Sequence, residues 1–115
     1  LFDPKGIPAE RLDRADDLAA WWMSKSAQEV ANLVPKAISY GSVDLDIMGD
    51  TLLLLMPQLR DVVPKQELAL VFYALGKLSR LVGALEQGVA PATDSWLDLS
   101  IYARMALRVR ETGTW

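Results

Sequence analysis

From Lys65 to Gln87 the chain runs as one unbroken amphipathic segment, closed by Gly88, and that segment commits the fold to helices. Placed at 100° per residue, Leu70, Tyr73, Ala74, Leu81 and Ala84 fall on one stripe. A strand would need apolar residues to alternate, and no such alternation occurs in the sequence. Shorter segments with the same helical period surround it, predicting helices over 9–22, 27–40, 43–56, 65–87 and 94–111. Ser26 and Glu29 have the spacing of a capping box, and Pro35 predicts a kink or a break near Leu33. Gly41 can end the second helix while Ser42 caps the third, which Pro57 stops. Pro64 opens the fourth helix, Thr93 caps the fifth, and Gly113 closes it. Residues 1–8, with Pro4, Gly6 and Pro8, read as an irregular lead-in. The expectation is a single all-α domain over 9–115, a compact bundle of four to five helices with short connections.

Composition narrows the function. Cysteine and histidine are both absent, which removes thiolate zinc sites, imidazole metal sites, histidine triads and cysteine nucleophiles. Any metal would sit on oxygen ligands, favouring Mg2+ or Mn2+, with Ca2+ as a further case. The net charge is −3 with acids and bases interspersed, so no basic face points to nucleic acid. The apolar run Leu52–Met56 is far too short to span a bilayer, and a cytoplasmic location without membrane partners is expected. Hydrophobic residues make up 51% of 115, more than so small a core can hide, which predicts a homo-oligomer burying Trp or Met from the first two helices.

Several ionisable residues break the apolar pattern. Lys77 sits at the centre of the fourth helix's stripe and Arg80 at its edge. A lysine so placed snorkels, pairs with a carboxylate or meets an anionic ligand such as phosphate. On the fifth helix Asp94 and Asp98 share a face with Ser95, Ile101, Tyr102, Met105 and Val109. Asp94 suits a first turn, but Asp98 is a full turn in and needs compensation. Lys77 is the simplest partner for it; a divalent cation shared with Asp94 is the sharper alternative. Asp44 shares a face with Met48, Thr51 and Leu55, whereas Asp46 and Asp50 point elsewhere and Asp46→Ala is expected to be nearly neutral. Asp44 and Glu67 are either inward ligands or acids favoured near a helix start. No phosphate-binding glycine loop is present, so a nucleotide would be held by helix-borne side chains.

Tyr40–Gly41, Leu75-Gly-Lys-Leu-Ser-Arg80 and Asp94-Ser-Trp-Leu-Asp-Leu-Ser-Ile-Tyr102 resemble the small MazG-like proteins common in phages, within the all-α nucleoside triphosphate pyrophosphohydrolase superfamily. The resemblance runs over residues 27–112. It implies a dimeric or tetrameric, Mg2+-dependent enzyme converting dNTPs or NTPs to monophosphate and pyrophosphate, in the host cytoplasm if phage-encoded. Asp94, Asp98, Asp44 and Glu67 would hold metal, Lys77 and Arg80 phosphate, and Tyr40 and Tyr102 sugar or base; the catalytic base stays unassigned. The chain departs from that pattern in two places. The usual Glu-Glu-x-x-Glu is missing, with Lys77 in its neighbourhood, and Ser95 replaces the glutamate of Glu-x-x-Asp. The alternative is a non-catalytic helical module that binds a nucleotide or a host protein.

Overall fold

The long amphipathic segment forms a helix that contacts the helices before and after it, and the rest of the core is arranged around that contact. The computed structural model describes residues 5–40 and 42–115; residues 1–4, Gly41 and the side chains of Ser39 and Tyr40 lie outside the description. Among the described residues the α-helices are α1 (Leu12–Tyr40), α2 (Val43–Leu55), α3 (Lys65–Glu86) and α4 (Thr93–Thr112), with 3-10 turns at Ala9–Arg11 and Pro57–Leu59. No strand occurs among the described residues, so the all-α expectation holds. The chain divides into two units, Leu1–Ser39 and Tyr40–Trp115.

The first unit corrects the boundary expected at Ser26. The two predicted helices are one, and Ser26 lies inside it. Between Trp22 and Ala27 there is no glycine or proline, so extending a helix already nucleated is easier than stopping and nucleating another. The predicted break at Pro35 does not occur either, since α1 continues through it to Tyr40. A proline costs a helix one hydrogen bond and some crowding, which a long helix can survive. Trp21 and Trp22 meet edge to face with ring centroids 6.0 Å apart, and Lys25 Nζ lies 5.8 Å from the Trp21 ring.

In the second unit, α3 packs against α2 on one side and α4 on the other. Leu45 from α2, Ala69 and Leu70 from α3, and Val109 from α4 form the buried centre. Met48, Tyr73, Tyr102, Met105 and Trp115 close around it. The α2–α3 contact turns on Gly49: a Cβ there would overlap the carbonyl oxygen of Lys65. Only glycine allows the two backbones so close. Beyond Glu86, Gly88 adopts φ 71°, and Gly113 adopts φ 88° as the left-handed C-cap of α4. Ser42 is the N-cap residue of α2 but makes no side-chain cap bond, and α4 begins at Thr93 itself, after Ala92.

By length and composition α3 could cross a membrane, a property missed by looking only at the run Leu52–Met56. Its apolar residues lie on two sides. One side is the packed stripe; the other carries Val71, Leu75, Leu78, Val82 and Leu85, each 46–65% exposed.

Candidate functional site

The α3–α4 seam is fastened at four levels. Trp115 N donates to Gln66 Oε1 at 2.8 Å, and Arg110 Nε donates to Glu67 Oε2 at 2.7 Å. Tyr73 stacks on Tyr102 with centroids 5.9 Å apart and planes at 29°. Lys77 Nζ lies 2.8 Å from Asp98 Oδ2. Positions rise along α3 as they fall along α4, so the helices are antiparallel, and Lys77 meets Asp98, its simplest partner from sequence.

Lys77 is the more enclosed member of its pair, its side chain 17% exposed against 38% for Asp98. Its charge meets the Asp98 carboxylate across the seam. A phosphate approaching Lys77 would therefore compete with Asp98. Arg80, one turn further on, is exposed. Tyr102 is half-buried by its stacking partner, and the Tyr40 side chain lies outside the described residues.

The four candidate metal carboxylates go to different places. Asp98 is paired with Lys77, and Glu67 is paired with Arg110. Ten residues of α3 separate Lys77 from Glu67, about 15 Å of helix. Asp94 is exposed in the first turn of α4, and Asp44 is exposed in the first turn of α2. Among the described residues no three acid side chains gather as a metal site would require. Asp98 and Glu67, each held in its own ion pair about 15 Å apart along α3, do not share one ion. The Glu67 carboxylate raises the Arg110 guanidinium above its ordinary value, through its hydrogen bond first and its charge second.

A second polar cluster ties α2 to α3. Gln66 is 5% exposed; its Nε2 donates to Asp46 Oδ1 at 2.9 Å. Its Oε1 also accepts from Thr114 Oγ1 at 3.3 Å. Lys65 Nζ lies 3.2 Å from Asp50 Oδ1 and 3.9 Å from Asp46 Oδ1. Asp46 and Asp50, which the sequence placed elsewhere, are thus the α2 acids that reach α3, and Asp44 is exposed. The sequence held one sign of this, because Gln66 lies four residues before Leu70 on the packed stripe of α3. Comparison with protein-family models, curated proteins and solved structures finds no match.

Proposed function

We propose that the chain is a helical association module that holds another apolar helix against the outer face of α3. The observation that carries this reading is the double-sided character of α3. Its packed stripe is already occupied within the unit, while Val71, Leu75, Leu78, Val82 and Leu85 remain half exposed or more, apart from Leu78 at 46%. Each such side chain is worth roughly 1 kcal/mol when the remaining surface is covered, so the stripe offers several kcal/mol to a partner. On this reading Lys77 and Asp98 fasten the seam that keeps α3 straight and presented. The expected result of incubating the protein with each dNTP and Mg2+ is no release of pyrophosphate, with Asp98→Asn changing only the melting temperature.

A second reading, the Mg2+-dependent nucleotide pyrophosphohydrolase, has one observation in its favour. Lys77, Asp98 and Tyr102, three residues that the MazG-like resemblance singles out, lie together on the α3–α4 seam. Carboxylates of a second copy would have to complete the metal set. Pyrophosphate release abolished by both EDTA and Asp98→Asn would replace the association reading with this one.

A further inference from the structure

We infer that Gln66 is a polarity-locked clasp, through which Asp46 at the surface of α2 governs how firmly the segment after α4 stays docked. The Gln66 side chain is buried, at 5% exposure, between two groups that cannot exchange roles. The Asp46 carboxylate can only accept a hydrogen bond, and the Trp115 backbone N–H can only donate one. The glutamine amide has one donor end and one acceptor end, so a single orientation serves both neighbours. That orientation is the one adopted: Nε2 donates to Asp46 Oδ1 at 2.9 Å, and Oε1 accepts from Trp115 N at 2.8 Å. Thr114 Oγ1 donates to the same oxygen at 3.3 Å. Turning the amide over would set Nε2 against the Trp115 N–H, donor against donor, and Oε1 against a carboxylate.

The two ends of this relay differ in access. At the inner end, Gly113 with φ 88° turns the chain back, and Thr112 Oγ1 donates to Thr114 O at 2.7 Å across the turn. The Trp115 ring then closes on the cluster of Leu45, Ala69, Leu70 and Val109. At the outer end, the Asp46 side chain is 42% exposed, with Lys65 Nζ 3.9 Å away. One buried amide thus links an acid that solvent reaches to a segment resting on the core. The coupling is reciprocal by linkage: docking of Trp115 favours the orientation that Asp46 requires, and Asp46 favours the orientation that Trp115 requires. A change at position 46 is therefore felt at Trp115 according to its hydrogen-bonding polarity, whereas a simple strut would respond only to loss of the contact.

Amide hydrogen exchange at Trp115 in the full chain, followed by NMR, reads the clasp, with circular dichroism to verify that each variant is helical. Asp46→Asn keeps an acceptor for Nε2 and should leave the exchange rate within about twofold of the wild type. Asp46→Ala removes the acceptor and should quicken exchange several-fold. Asp46→Lys puts a donor in its place, draws Oε1 towards α2 and should quicken exchange about tenfold or more. Asp50→Lys is the control. It makes the same change of charge beside Lys65, which lies 3.2 Å from Asp50, at a residue that shares no hydrogen bond with Gln66. Exchange at Trp115 should then stay at the wild-type rate. Equal quickening in the two lysine variants overturns the clasp and makes the effect one of charge on α2. An Asp46→Asn variant that exchanges as fast as Asp46→Ala also overturns it, and that comparison stands even where Asp46→Lys fails to fold. Exchange unmoved by every change at position 46 overturns it as well.

Discussion

Lys77 Nζ sits 2.8 Å from Asp98 Oδ2, joining the midpoint of α3 to the second turn of α4. Removing one partner leaves the other partly desolvated and unpaired, so Asp98→Ala should cost about 1–2 kcal/mol. For a domain of this size that is a fall of roughly 5–10 °C in melting temperature. The double variant Lys77→Met with Asp98→Leu should recover most of the loss, because replacing both charges restores a seam without an orphan. Thermal denaturation followed by circular dichroism checks both. Failure of the double variant to recover would mean that the pair does more than fasten the seam.

Gly49→Ala tests the α2–α3 approach. The added methyl meets the Lys65 carbonyl, which is backbone and cannot swing away, so α2 must move. A loss of about 2 kcal/mol or more is expected in urea denaturation. Gly76→Ala is the control, with open space around its Cβ position and a helical backbone. It should raise monomer stability by up to about 1 kcal/mol.

Gln66→Leu should lower stability by roughly 2 kcal/mol. It removes the donor that serves Asp46 and the acceptor that serves Trp115 N, and neither leucine methyl replaces them. Asp46→Ala should cost about 1 kcal/mol, since it leaves the buried Gln66 amide without its acceptor. Its expected neutrality from sequence thus gives way to a measurable effect. Amide exchange at Trp115 should quicken in Gln66→Leu and stay slower in Asp46→Ala.

The α3–α4 half of the second unit was legible because both helices carry a clear apolar stripe with a few charges in it. Opposite charges on facing stripes have one economical arrangement, and Lys77 with Asp98 adopts it. The α2 face was not legible. Apolar residues lie on every side of α2, so periodicity does not choose between Asp44 and Asp46; the Gly49 approach to Lys65 does, and that is a tertiary contact. Ser26 misled because a serine three residues before a glutamate fits a helix interior as readily as a helix start. As for the candidate site, the sequence named Lys77, Asp98 and Tyr102 as neighbours. It gave no means of knowing that Glu67 would be drawn to Arg110, a residue 43 positions away.

The antiparallel fasteners also set an order of events. The connection between α3 and α4 is short, and Lys77–Asp98 lies nearest to it, followed by Tyr73–Tyr102, Glu67–Arg110 and Gln66–Trp115. Each successive link closes a longer loop, the last spanning 49 residues, and the entropy lost on closure grows with that length. Loop closure alone should therefore zip the hairpin from its turn outwards, an order that amide exchange along the seam would read. The Gln66–Trp115 link, farthest from the turn, should then be the first to exchange its amide, even though the Trp115 ring rests against the core.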